Sequence, residues 1–389
     1  MPRFLLYALL IYALINLGIL GWFWGALSAN PKLRWPLLLA LSFAACCFPI
    51  FFKNGSSSAL DLALLTVGAL WAGTLTYLLL MILGSEALLL LKRLFGWGAQ
   101  TADAIQQFRY LASLTILALA VVIGLLSGWN AKHPVVKEIE LTIQVKRPAG
   151  APPLTRTNIT FGAVSDVHLG RLISARWLAD ALELLRPHQP EALFFLGDTL
   201  DDHIRVDPEP VRKALQSLHP ALGVWGILGN HEYISGELAT SLDLLEKSGI
   251  PVLRDSWTVL DDSILLVGRD DYSGRGFTGK ARASLDQILQ SVPANYRALP
   301  LIVLDHQPVK LEEAEQSKAA LQLSGHTHNG QLWPFNFIVK KVYENAYGHY
   351  TRGDSHYFTS LGLGSWGSSP QRSTGRPEIL LFRVRFVTE

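Results

Sequence analysis

The sequence predicts an α/β sheet protein preceded by an all-α membrane region, and three observations carry that prediction. Charge is unevenly spread. Residues 1–130 hold seven basic groups (Arg3, Lys32, Arg34, Lys53, Lys92, Arg93, Arg109) and three acids (Asp61, Glu86, Asp103), so totals of 34 and 32 leave 27 and 29 for the remainder. Four long apolar stretches fall inside that charge-poor third. Beyond it, short apolar runs alternate with segments of helical apolar spacing, the βαβ rhythm of an α/β sheet.

The apolar stretches are 4–27, 37–52, 62–83 and 110–126, each close to the roughly 20 residues that span a bilayer. A signal peptide explains one such stretch but not four. The second is short and contains Pro49. Trp22, Trp24, Trp35, Trp71, Trp97 and Trp129 fall mostly near span ends, as interfacial anchors do. Asp61 and Glu86 flank the third span and read as interfacial charges. Residues 88–94, with Lys92 and Arg93, read as an interfacial amphipathic turn. Lys32, Arg34, Lys92, Arg93 and Arg109 lie on one side, Arg3, Lys53, Lys132 and Lys137 on the other. The positive-inside rule therefore leans toward an extracytoplasmic carboxyl-terminal domain. Cys46 and Cys47, the only cysteines, read as small apolar residues inside a span. Neither region has the basic excess of a nucleic-acid binder.

Residues 131–157 read as a linker with an edge strand over 136–145, and the Pro/Gly-rich 147–153 cannot be a central strand. Strands are predicted at 159–164, 192–196, 224–228, 301–304 and 321–323, as a hairpin at 257–260 and 264–267 around Asp261-Asp262, and finally at 379–387. Helical spacing marks 175–185, 210–218, 237–247 and 281–289.

The strands point to chemistry through the residues at their carboxyl ends. Asp166-Val167-His168, Gly197-Asp198, Gly229-Asn230-His231, Asp305-His306 and Gly325-His326-Thr327-His328 each come directly after an apolar run. Ligand sites of open α/β sheets lie at the carboxyl ends of strands. Asp, Asn and His without Cys suit hard or borderline divalent metals. A lone Asp-x-His or Gly-Asp is common in surface turns; their joint occurrence in this order is not. A carboxylate has two oxygens, so one Asp can bridge two ions. The donors suffice for two metals with open positions, and such a pair can hold a hydroxide nucleophile for in-line attack on a phosphoryl group. His231 is not needed as a ligand and suits a proton donor to the leaving oxygen.

Asp166-x-His168, Gly197-Asp198, Gly229-Asn230-His231, His306 and Gly325-His326-x-His328 resemble the metallophosphoesterases of the calcineurin-like superfamily. Ser165 to Gly170, Asp305-His306-Gln307-Pro308, Gly330-Gln331 and Arg376-Pro377-Glu378 are similar to its bacterial membrane-associated branch. The resemblance covers about residues 158–387 of a catalytic domain placed at 158–389. It implies a four-layer αββα sandwich. It implies one metal on Asp166, His168, Asp198 and His328, a second on Asp198, Asn230, His306 and His326, and the acid role for His231. Asn329 stands where many relatives have Gly, and Asn tolerates left-handed backbone.

Among secondary candidates, Arg372 suits bidentate phosphate binding and Asp271 a place near substrate. Asp201, Asp202 and His203 read as a solvated loop. The expected protein is a multi-pass enzyme of the bacterial inner membrane. It hydrolyses a phosphodiester, phosphomonoester or pyrophosphate bond with two divalent ions, manganese first and iron or zinc acceptable. Its expected partners are membrane lipids and a phosphorylated, lipid or envelope substrate, with no nucleic acid. The alternative is a membrane-tethered metal sensor or scaffold without turnover.

Overall fold

A computed structural model describes residues 3–51, 58–98, 101–147, 153–201, 207–366 and 369–388. The chain divides into two compact units: Met1–Trp129 with Gly367–Gln371, and Asn130–Trp366 with Arg372–Glu389.

In the first unit the four apolar stretches are helices α1 (Arg3–Ala26), α2 (Pro31–Phe51), α3 (Ala59–Leu94) and α4 (Ala102–Lys132), all long and apolar enough to cross a membrane. They pack on one another through Ile19, Phe23, Leu38, Trp71, Leu78 and Ile116. Gly68 lets α3 approach α2, since a Cβ there would lie 2.4 Å from the Phe48 nitrogen; small residues at such crossings are how membrane helices gain contact. Asn16 accepts from the Trp71 indole at 2.8 Å. Glu86, read from the sequence as an interfacial charge, accepts from Trp22 at 2.7 Å and from Arg109 at 2.8 and 2.6 Å. The turn expected over 88–94 is instead the end of α3. Nothing in Leu88–Leu94 breaks a helix, and 36 residues at 1.5 Å each make about 54 Å, longer than a bilayer core of about 30 Å.

The second unit holds two mixed sheets. The first has five strands in the order β1 (Val135–Val145), β11 (Glu378–Thr388), β2 (Asn158–Val164), β3 (Ala192–Leu196), β4 (Val224–Ile227). The second has six, in the order β5 (Ser256–Leu260), β6 (Ile264–Gly268), β7 (Leu301–Leu304), β8 (Leu321–Ser324), β10 (Ser355–Thr359), β9 (Gly348–Arg352). Strands β2, β3 and β4 are parallel neighbours, as are β6, β7, β8 and β10. Side-chain alternation makes the layers. Phe161, Phe194, Leu196 and Phe382 from one sheet meet Ile264, Leu266, Ile302 and Leu323 from the other in a central core. Leu193, Phe195 and Leu381 turn outward under helices α5 (Ala175–Glu183), α6 (Pro208–Leu215) and α8 (Leu238–Lys247). Leu265, Val267 and Val303 do the same under α10 (Leu285–Gln290) and α11 (Leu311–Gln316). The result is the four-layer αββα arrangement.

Boundaries moved where local chemistry decided them. The edge strand expected over 136–145 runs from Val135 to Val145 and pairs in parallel with β11 along its whole length. The helix expected over 281–289 starts only at Leu285. Ser284 accepts from the Gln287 amide, Gln287 accepts from the Ser284 amide, and Asp255 ties down the Ala283 amide, a capping box that fixes the start. Three short elements carried no strong sequence signal: α7 (Asn230–Ile234), α9 (Gly274–Thr278) and α12 (Phe335–Val342).

Candidate active site

Every cluster singled out in the sequence lies just past the carboxyl end of a strand: β2 for Asp166 and His168, β3 for Asp198, β4 for Asn230 and His231, β7 for His306, β8 for His326 and His328. Parallel pairing of β2–β3–β4 and of β7–β8 turns these ends to one edge of each sheet. The backbone there is forced. Asp166, His168, Asp198, His326, His328 and Asn329 all have φ between 46° and 69°, a left-handed region uncommon for non-glycine residues and concentrated at functional sites. Asn329, at φ 46°, is of a residue type that tolerates this backbone better than most. Gly197 and Gly229 let the two central loops touch: a Cβ on Gly197 would lie 2.7 Å from the Gly229 nitrogen and from His306 Nδ1.

The donors converge in two groups joined by a third. Asp166, His168 and His328 form one, Asp198, His306 and His326 another, and His168, Asp198 and His231 a third that draws on both, each with ligand atoms within 4.8 Å of one another. Asp198 faces both: one carboxylate oxygen lies 3.1 Å from His306 Nε2 and 3.9 Å from His168 Nε2. Asn230 Oδ1 belongs with the second group, 2.8 Å from His326 Nδ1 and 3.3 Å from His306 Nε2. His168 Nε2 and His328 Nε2 face each other at 3.2 Å, with Asp166 Oδ1 3.3 Å from the latter. Inward-facing imidazole nitrogens and buried carboxylates are a poor arrangement by themselves and a good one around cations. The donor set fits divalent ions.

The supporting shell fixes ring orientations. His306 Nδ1 donates to the Leu196 carbonyl at 2.7 Å, which turns Nε2 toward Asp198, as an orienting partner does for a metal-ligating histidine. Buried Glu232 accepts from the Asp198, Leu200 and Gly229 amides and so holds both loops. The His326 amide donates to Asp166 at 3.0 Å, and the His231 amide to Asp198 at 2.8 Å. Burial disfavours the charged form of His306, but Asp198, Asp166 and Asp271 outweigh it and hold its pKa well above 6.5. Burial alone would raise Asp198; His306, His231 and His168 pull it well below the usual carboxylate range. Burial pushes His328 down to about 4, helped by Arg372 and His168 against Asp166.

His231 sits beside these groups in a chain of its own. Nδ1 lies 3.2 Å from Asp201 Oδ1, and Nε2 accepts from the Trp366 indole at 2.9 Å. Asp201 is also 3.7 Å from His168 Nδ1. The sequence assigns Asp201 to a solvated loop. A bridge between Leu169 and Leu200, with the Asp201 amide donating to the Leu169 carbonyl at 2.9 Å, draws it inward instead. Its position three residues after Asp198 was the available signal. Asp202 and His203 lie outside the described residues.

Two expectations need correction. Arg372 is not placed to meet substrate phosphate: it is 1% exposed, and it donates to the Gly364 and Leu361 carbonyls and lies 2.8 Å from His328 Nδ1. It backs the His328 ring. Asp271 is 2% exposed, its oxygens taken by Gln307 at 3.0 and 3.1 Å and by the Ser273 amide; it adds negative charge behind His306 rather than reaching substrate. Asp305 likewise turns away from the cluster, to Arg282 at 2.7 and 3.0 Å and Arg269 at 3.3 Å.

Comparison with known proteins agrees with this geometry. Residues 159–330 match the family described as calcineurin-like phosphoesterase. A metallophosphoesterase of Aquifex aeolicus (strain VF5) is 28% identical over 231 residues, 59% of this chain and 86% of its own length. One from Campylobacter jejuni is 28% identical over 296 residues, 75% and 74% of the two chains. A transmembrane protein with metallophosphoesterase domain from Danio rerio is 28% identical over 72% of this chain and 64% of its own. The protein is a metal-dependent phosphoester hydrolase. More particularly, residues 159–330 of its second unit match the calcineurin-like phosphoesterase family, and four long apolar helices come before them in the chain.

Proposed function

We propose a membrane-bound phosphoesterase that uses two divalent ions to hydrolyse a phosphodiester, phosphomonoester or pyrophosphate bond in a lipid or envelope substrate. The observation that carries the two-ion reading is the position of Asp198 between both donor groups. Asp166, His168, Asp198 and His328 would hold one ion; Asp198, Asn230, His306 and His326 the other. When bound, such a pair supplies an activated water and neutralises the phosphoryl oxygens; manganese is the first choice, and iron and zinc suit the same donors.

The chain's own residues do the rest. Asp201 orients His231 through Nδ1 and steadies the positive charge when Nε2 takes a proton. Nε2 then delivers that proton to the leaving oxygen, a role worth roughly 10²–10⁴ in rate for a positioned acid. The Trp366 indole, which can only donate, occupies Nε2 in the structure, so delivery of the proton requires this contact to be given up. Glu232 and the His326 amide keep the carboxylates in place while charge develops. A sensor or scaffold without turnover would be expected to lack a donor; each position of the set is filled here.

The four helices and the charge balance of their loops support a bacterial inner-membrane protein with the catalytic unit on the extracytoplasmic face. The test of the chemistry is hydrolysis of bis-p-nitrophenyl phosphate with added manganese. Asp198→Asn and His306→Ala are each expected to lower kcat by about 10²-fold or more, the scale of a lost site electrostatic contact. Full activity in both would end the two-ion mechanism.

A further inference from the structure

Helix α12 is amphipathic with its apolar stripe turned to the outside. Phe335, Ile338, Val339 and Val342 recur at helical spacing on one side, yet Phe335, Ile338 and Val342 are 40%, 58% and 67% exposed, and no residue of the helix is buried. Trp333 and Phe337 extend the exposed apolar surface. Lys340 and Lys341 close the last turn. In a water-soluble domain the stripe of such a helix faces the core; an outward stripe of this size marks a binding surface.

The helix is joined to the site. It begins five residues after Gly330, and a Cβ on Gly330 would lie 2.5 Å from the Asn336 nitrogen, so α12 stands directly on the loop that carries His326 and His328. Gln331, in the same loop, clasps the backbone of Trp366 from both sides at 2.6 and 3.0 Å. The exposed Trp366 ring in turn touches His231.

We propose that this face, α12 with Trp333 and Trp366, lies in the surface of a lipid bilayer and presents lipid-borne phosphate to the site. The proposal rests on the membrane-bound phosphoesterase reading above. Two features select lipid over another occupant. The same chain carries four helices able to cross a membrane, so a bilayer is always at hand. The chemistry also matches an interfacial helix: aromatic and aliphatic side chains for the acyl boundary, tryptophans for the headgroup level, and lysines for anionic headgroups.

The test uses the full chain reconstituted in phosphatidylcholine–phosphatidylglycerol vesicles. Cys46→Ser and Cys47→Ser clear the background, and Ile338→Cys or, as a second position, Val342→Cys carries an environment-sensitive fluorophore. The expected result is blue-shifted emission and loss of intensity with doxyl-labelled lipid, stronger for doxyl near the headgroup than at the chain end. Water-like emission at both positions overturns the proposal. So does a blue shift without lipid quenching, which would mean that protein, a second copy included, covers the helix. Turnover of bis-p-nitrophenyl phosphate by the same preparations is read alongside. Activity with unquenched labels removes the lipid seat and leaves the hydrolase; quenching without activity removes the hydrolase and leaves the seat.

Discussion

At the scale of single residues, the site separates groups that hold charge from groups that hold those groups. Asp198 and His306 belong to the first kind, Glu232, Asp271 and Arg372 to the second. His231 with Asp201 forms a third, devoted to a proton. Replacing His231 with Gln should lower kcat roughly 10²–10⁴-fold with little change in manganese affinity, measured by steady-state kinetics and metal titration. Asp201→Asn should give a smaller loss of the same type. A His231→Gln enzyme that loses metal instead would make His231 a ligand, a role open to it by distance to His168 and Asp198. His328 contributes one part of the pH behaviour of the metal-free protein. Its folded pKa of about 4 lies below the ordinary 6.5. Between those values the unfolded chain therefore binds more protons, and stability is lost as pH falls from about 6.5 toward 4. Melting curves of chelator-treated protein should show His328→Gln losing less across that window than the parent. Equal losses would contradict a neutral buried imidazole.

At the scale of elements, short parallel strands deliver the ligands and forced turns aim them. Strand β3 is five residues, all buried, and its only task beyond packing is to end at Gly197-Asp198. Gly197 has φ 89° and no room for a Cβ against Gly229 and His306. Gly197→Ala should therefore cost both strain and ligand geometry. We expect a melting temperature several degrees lower, the shift that about 1–2 kcal/mol produces in a domain of this size, with at least a tenfold fall in activity on bis-p-nitrophenyl phosphate. Phe382 tests the scaffold separately. It packs on Phe161 and Phe358 between the sheets, and Phe382→Ala should remove about 3–5 kcal/mol of stability in chemical denaturation, while the remaining folded fraction keeps its manganese requirement.

At the scale of the whole molecule, four apolar helices and a hydrolase unit in one chain restrict where the chemistry can be used. A substrate carried by the bilayer reaches such an enzyme without leaving the membrane. An untargeted lipid comparison between a deletion strain and an Asp198→Asn strain should show the same phosphorylated lipid accumulating in both. If neither strain differs from the parent, the lipid substrate is wrong, even if the soluble assay shows turnover.

Much of this was legible in the sequence because it rests on local rules. Apolar length marked the helices of the first unit, short apolar runs marked the strands, and donor residues after each of the central strands marked the site. What the sequence could not settle depends on partners distant in the chain. Asp201 reads as loop until the Leu169–Leu200 bridge folds it against His231. Arg372 reads as a phosphate-binding residue and Asp271 as one near substrate, and only tertiary packing buries them behind His328 and His306. The edge strand over 136–145 was legible, but its partner β11, more than 230 residues away, was not. The helix over Phe335–Val342 gave no strong signal, and the exposure of its apolar side chains is a property of the packed protein. The sequence alone determined which chemistry is present, since side-chain identity and strand position suffice for that. Only the tertiary structure decided which charged residues stand behind the donors and which segments face the outside, because those outcomes turn on contacts between segments that periodicity does not encode.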